Sequence, residues 1–262
     1  MTKVEIKLRN LHQNSEQSVT ISQRLADIIK EFEEKSKVFN SGEIIPVLFD
    51  TSETFLRLGA GFQGADPREI NTEFILKNKD GKKIFAVFLA NYDPLDELTA
   101  AHEIMHYILY TEGFSRIKRI SGRDGDFENL ISSFAQHFAV NKGLQERGFV
   151  VSEEYDRITS SFVHNLRHYS SVRLNALLIA DHYFYARRVV RRRLIKTIRK
   201  DSELYREFQY LVSIVKDPSI DITAPYGCKS IMQKIAHDWG DIKNYRFDHN
   251  PLFVENLPSL KR

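Results

Sequence analysis

The chain has 262 residues, 42% apolar and 28% charged, with a formal net charge of +3 and a single cysteine. That length supports one large or two smaller hydrophobic cores, and the balance of apolar and charged side chains excludes a disordered or low-complexity chain. The lone Cys228 excludes an intrachain disulfide and a cysteine-based zinc cluster, so any bound metal must rely on His and carboxylate.

The first residues, Met1-Thr2-Lys3-Val4-Glu5-Ile6-Lys7, form no apolar leader, and no stretch approaches the roughly eighteen apolar residues of a membrane helix. We therefore expect a cytoplasmic protein without a membrane partner. Lys3–Arg9 alternates charged and apolar side chains, as a strand with one buried face does, and is expected to be an added N-terminal strand. Asn14–Thr20 reads as a polar turn. Ser22 then caps a helix with Leu25, Ile28, Ile29, Phe32 and Val38 on one side and Glu31, Glu33, Glu34, Lys35 and Lys37 on the other.

Short apolar runs follow at 43–49, 54–58, 73–76 and 84–89. Asn78-Lys79-Asp80-Gly81-Lys82 marks a hairpin between the last two, so a small sheet is expected under the first helix. Gly59-Ala60-Gly61-Phe62-Gln63-Gly64 lacks both Rossmann spacing and a Lys-Ser/Thr ending, and is read as a connection or bulge.

The stretch Asp93–Tyr110 contains His102-Glu103-Ile104-Met105-His106. On a helix His102 and His106 stand one turn apart on one face, where two imidazoles can converge on one metal ion. Glu103 lies about 100° around the helix, placed to reach a metal-bound water rather than to serve as a ligand. Asp93 suits the N-cap, Pro94 the first helical position, and Asp96 the negative first turn, while Gly113 marks the end. Apolar Leu95, Leu98, Ala101, Met105, Ile108 and Leu109 recur at helical spacing along one side.

Thr111–Gly125 reads as a polar loop, and Asp126 as the cap of a second helix ending near Gly143 with the stripe Leu130, Ile131, Phe134, Ala135, Phe138 and Ala139. Glu128 lies at the margin of that stripe, 22 residues after His106, and is the leading candidate for a third ligand. Asp124, Asp126, Glu112 and His137 compete. Asp126 is better used as a cap, and His137 stands nine residues from Glu128, about half a turn out of phase.

Ala101-His102-Glu103-Ile104-Met105-His106-Tyr107 followed by Glu128-x-x-Ile131-Ser132-x-Phe134-Ala135 resembles the ImmA/IrrE family of zinc metallopeptidases. The likeness covers roughly residues 20–145. The second family motif usually reads Glu-x-x-Ala-Asn-x-Phe-Ala, and its Leu-Met-Pro ending is replaced here by Ala139-Val140-Asn141. The resemblance implies a gluzincin-like core and, as substrate, a regulatory protein such as a repressor.

Beyond residue 149 the pattern is helical. Ser152 begins one helix, its stripe continuing through Phe162, Leu166 and Tyr169; a longer one runs from Ser171 to about Ile198; Asp201–Val215 and Ser230–Trp239 read as two more. Between Ala186 and Lys200 there are eight positive side chains and no negative ones, and setting them aside turns the net +3 into −5 elsewhere. Arg187, Arg188, Arg191, Arg192 and Arg193 are thus candidates for contacting nucleic acid or an acidic protein partner.

The expected fold class is α+β. A zincin-like core of helix, small mixed β-sheet, His-Glu-x-x-His helix and ligand helix occupies 1–148, and an all-helical region occupies 149–262. The expected function is that of a zinc-dependent metallopeptidase binding one Zn²⁺ through His102, His106 and Glu128, with Glu103 as base. The alternative is a non-catalytic metal-binding regulator that docks nucleic acid or a protein through the basic helix 186–200.

Overall fold

The computed structural model describes residues 2–10, 15–39, 44–49, 73–77, 83–90, 97–121, 125–240 and 242–248. The chain is a mixed α+β protein that divides into two compact units, one within Met1–Thr111 and one within Glu112–Pro251. The sequence suggested a division near 148. The observed one falls earlier because the helix over Asp126–Glu146 packs with the later helices.

In the first unit, β1 (Lys3–Asn10) pairs antiparallel with β2 (Ser15–Ser22), from Lys3 opposite Ser22 to Asn10 opposite Ser15. Asn14–Thr20 was expected to be a turn, yet Ser15–Thr20 belongs to β2. Ser18 and Thr20 are exposed, Val19 half-buried and Ile21 fully buried, the alternation of a strand with one buried face, but the preceding Ser15-Glu16-Gln17 is polar throughout and hides it. The strands β3 (Ile44–Phe49), β4 (Glu73–Lys77) and β5 (Lys83–Ala90) complete a sheet of order β2-β1-β3-β5-β4. Pairs β1/β3 and β3/β5 are parallel, and β4/β5 is antiparallel with Lys77 opposite Lys83. β1 therefore lies inside the sheet, flanked by β2 and β3, rather than added at its edge. The expected strand 54–58, the glycine-rich 59–64, the turn 78–82 and the capping residues Asp93, Pro94 and Asp96 lie outside the described residues.

Helix α1 (Gln23–Phe39) buries Leu25, Ile28, Ile29 and Phe32, the anticipated stripe. It packs on α2 (Glu97–Thr111), the motif helix, where the Phe32 and Tyr107 ring centroids are 5.6 Å apart. Ser22 joins the two helix starts. Its Oγ accepts from the Leu25 N–H at 3.4 Å and donates to Glu97, and its own N–H donates to Glu97 Oε1 at 2.8 Å. The α2 helix is buried on more than the expected side, since Ile104, Tyr107 and Tyr110 are enclosed along with Ala101, Met105, Ile108 and Leu109. It ends at Thr111, and Gly113 follows with φ +92°, a left-handed conformation that suits glycine.

In the second unit the segment expected to be a loop contains β6 (Arg116–Arg119), paired antiparallel with β7 (Tyr245–Asp248). Four residues with a half-buried, buried, half-buried, exposed pattern are too short to announce a strand, and the partner lies about 130 residues away. Helix α3 (Asp126–Glu146) follows, then α4 (Ser152–Phe162), α5 (Val172–Tyr183), α6 (Arg188–Ile198), α7 (Ser202–Val215) and α8 (Pro225–Trp239). Contacts join α3 to α5, α8 and β6, and α5 to α4 and α7.

Two of the expected helices are shorter than the sequence suggested. The α4 stripe stops at Phe162 instead of reaching Tyr169, because the segment before α5 is held in a cap: Asn175 Oδ1 accepts from the His168 and Tyr169 N–H groups at 2.7 and 2.8 Å. The run 171–198 splits into α5 and α6 although it contains no Gly or Pro. There the buried Asp156 carboxylate of α4 accepts the Arg187 N–H at 2.6 Å and also pairs with the Arg187 guanidinium, acting as a cap from outside the helix. No described helix is long and apolar enough to cross a membrane.

Candidate metal centre

Helix α2 carries His106 buried and His102 and Glu103 half-buried. The Nε2 atoms of His102 and His106 stand 3.3 Å apart, with ring centroids 5.0 Å apart and the rings inclined at 72°. That spacing is long for a hydrogen bond. It is the spacing of two ligands on one ion: nitrogens each about 2.0–2.1 Å from a tetrahedral zinc lie about 3.3 Å from one another. The one-turn spacing read from the sequence thus delivers both imidazoles to one point.

Helix α3 carries His137 in a different setting. Its Nδ1 donates to Asp181 Oδ1 of α5 at 2.7 Å, and both side chains are nearly enclosed, 11% and 5% exposed. A carboxylate on Nδ1 fixes the tautomer and turns Nε2 into the nitrogen able to serve as a ligand. Near Asp181 the Tyr155 and Tyr185 rings lie 4.7 Å apart, inclined at 43°, and the Asn141 amide donates to the Tyr155 hydroxyl at 2.8 Å. Burial, with Tyr155 and Asp181 nearby, holds the Tyr185 hydroxyl proton well above the ordinary phenol range. His137 is therefore nearly enclosed and held through Nδ1 by a buried carboxylate.

The ligand nitrogens of His102, His106 and His137 all lie within 4.8 Å of one another, close enough to bind a metal ion. Glu128, expected as the third ligand, does not join this group, and its carboxylate is engaged elsewhere. Oε1 accepts from Arg119 Nε at 3.0 Å and Nη2 at 2.8 Å, and Oε2 accepts from the Gly125 N–H at 2.7 Å. Burial alone would raise its proton affinity. The hydrogen bonds from Gly125 and Arg119 outweigh it and hold the carboxyl below the usual range. Glu128 is thus the N3 acid of α3, reaching back to the N-cap Gly125 as in a capping box, while Asp126, expected as the cap, is the first helical residue.

Of the other candidate ligands, Glu112 and Asp126 are outside the histidine group and Asp124 lies outside the described residues. Asp181 was not anticipated. The signal was present, since Leu177, Asp181 and Phe184 share a helical stripe on which a carboxylate is out of place. Cys228 is fully buried, and burial pushes its thiol up to about 12, which suits an inert core side chain.

The basic candidates divide into two sets. Arg187 is committed to Asp156, whereas Arg188, Arg191, Arg192, Lys196 and Arg199 surround an open concavity beside Tyr183. Comparison with protein-family models, with curated proteins and with solved structures gives no match to this chain.

Proposed function

We propose that the chain is a zinc-dependent hydrolase of peptide bonds, with His102, His106 and His137 as ligands and Glu103 as the general base. The observation that carries this reading is the 3.3 Å approach of the two Nε2 atoms on a helix that also bears Glu103. Three imidazoles suit zinc, a borderline ion that accepts His ligands in tetrahedral sites and leaves a fourth position open in catalytic ones. When bound, the ion would supply Lewis acidity and a water of lowered pKa.

The chain's own residues set the remaining chemistry. Glu103, one residue beyond His102, presents a carboxylate about 100° around the helix and accepts a proton in the attack step. Asp181 holds His137 in one tautomer, so that the same nitrogen is always presented. The ion pair of Glu128 with Arg119 fixes the start of α3, and so the level at which His137 is carried. The likeness of residues 101–107 and 128–135 to ImmA/IrrE peptidases supports a regulatory protein as substrate.

The test is metal content beside activity. The purified chain should hold about one zinc, and Glu103→Gln should hold the same amount while losing cleavage of a quenched fluorescent peptide library by about 100-fold or more. Cleavage that survives in Glu103→Gln would sink the catalytic assignment. Zinc without cleavage in both proteins would instead favour the non-catalytic regulator.

A further inference from the structure

We propose that the groove along α6 is a binding site for the phosphodiester backbone of nucleic acid. Its concavity, about 460 Å³, is lined by Arg188, Arg191, Arg192, Lys196 and Arg199 with Tyr183, and among the described residues no carboxylate lines it. Four of the five cations are exposed and Arg191 is half-buried. The residues recur at helical spacing, so they form a ridge along one side of α6. From Arg188 to Arg199 the helix rises about 16 Å, which matches about five phosphates of one strand at 3.4 Å each.

Two of the guanidiniums are held in place by rings: Arg191 lies 5.7 Å from the centroid of Tyr183 and Arg199 lies 5.6 Å from that of Tyr205. The Tyr183 ring takes none of the edge donors of Arg191, while Arg199 Nε also donates to the Tyr205 hydroxyl at 3.4 Å, which leaves its two terminal nitrogens to meet an anion. Arg187 takes no part because Asp156 neutralises it, and Arg193 lies outside the groove. The charge that remains is ordered, and repulsion among five neighbouring cations without acids is a cost a polyanion would remove.

The surroundings narrow the class of polyanion. A membrane-surface helix must lay its apolar face into the lipid, but Leu194 and Ile198 of α6 are fully buried in the protein and only Val189 among its apolar residues is exposed. An acidic protein partner would need apolar anchors at the centre of the interface, whereas Ile195 and Tyr183 are the apolar elements of this lining, and both are only half-exposed. Arginine predominates, and its planar fork pairs two donors with a phosphate.

The test is fluorescence anisotropy of the full chain with a labelled 20-nucleotide DNA, single-stranded and duplex, between 50 and 200 mM salt. Five phosphate contacts give a log–log slope of about −4, so affinity falls about 250-fold over that fourfold range. The variant Arg188→Gln, Arg192→Gln, Lys196→Gln changes exposed side chains only and should reduce the slope to about −1.6, a loss of about tenfold. A control with equal charge loss outside the groove, Arg157→Gln, Arg206→Gln, Lys216→Gln, should keep the original slope. The proposal is overturned if the control lowers the slope as much as the groove variant. It is equally overturned if the groove variant leaves the slope unchanged, or if phosphatidylserine vesicles or poly-glutamate of equal charge bind as tightly as the DNA.

Discussion

The choice between His137 and Glu128 as third ligand can be decided by pairing one substitution at each with two readouts, zinc affinity and stability of the metal-free protein. In His137→Gln the amide can still donate toward Asp181, so the buried carboxylate keeps a partner, but the coordinating nitrogen is lost. Structural zinc sites bind with about 10–16 kcal/mol over four ligands, so one ligand is worth about 3 kcal/mol, or about 100-fold in Kd. Glu128→Gln removes the charge from a side chain that accepts three hydrogen bonds, two from Arg119 and one from Gly125. Hydrogen bonds to charged groups contribute about 1.5–3 kcal/mol each, and the amide keeps some of them. Because the Arg119 side chain is 44% exposed and its attraction is screened, a loss of about 2 kcal/mol is expected in urea denaturation of the metal-free chain. Competition with a chromophoric chelator then reads the zinc affinity. His137→Gln should lose about 100-fold with little change in urea midpoint, and Glu128→Gln should show the reverse. The opposite pattern, weak zinc in Glu128→Gln and normal zinc in His137→Gln, would refute the three-histidine assignment and restore the carboxylate as ligand.

Asp181→Asn, which keeps the volume but not the charge on His137 Nδ1, should weaken zinc about 10–100-fold by the same competition assay, without abolishing it. The Glu128 carboxyl is held below its unfolded value, so its contribution to stability is present above about pH 4.3 and is lost as pH falls through the lower folded value. Stability of the wild-type chain should therefore drop between pH 5 and 3 more steeply than that of Glu128→Gln, as read by urea midpoints. Gly227→Ala should cost about 3 kcal/mol, since its added Cβ would lie 1.8 Å from the backbone oxygen of Asp221 and the neighbour cannot yield as a side chain would. The Cys228 thiol, buried and pushed up to about 12, should react with a disulfide reagent at neutral pH only on unfolding.

What could be read from the sequence depended on whether one element carried its own signal. His102 and His106 are four residues apart on one amphipathic helix, so their convergence follows from helix geometry alone. The strands at 44–49, 73–77 and 83–90 appeared as apolar runs for a similar reason. β6 and β7 did not, because neither four-residue strand is stable by itself and each is specified by pairing with the other across the unit. The break between α5 and α6 was hidden for the same reason: it is made by Asp156, a residue of another helix.

Glu128 and His137, the two candidates for a third ligand, differ in how their burial is read. A single apolar stripe as the inner side of α3 favours Glu128, at its margin, over His137, half a turn away. But α3 is enclosed on several sides, by α5, α8 and β6, and Glu128, Ser132, Gln136 and Asn141 are buried together with the apolar residues. On such a helix half a turn does not separate inside from outside. The polar residues are then distinguished by their partners: Glu128 has Arg119 and the helix start, Gln136 donates to the Ser115 carbonyl, and His137 has a carboxylate behind one nitrogen. A buried acid at the third position of a helix with an arginine alongside already has its charge balanced, and giving it to a metal would break that pair. A histidine held through Nδ1 by Asp181 presents Nε2, and binding a cation there adds to the existing pair instead of breaking it.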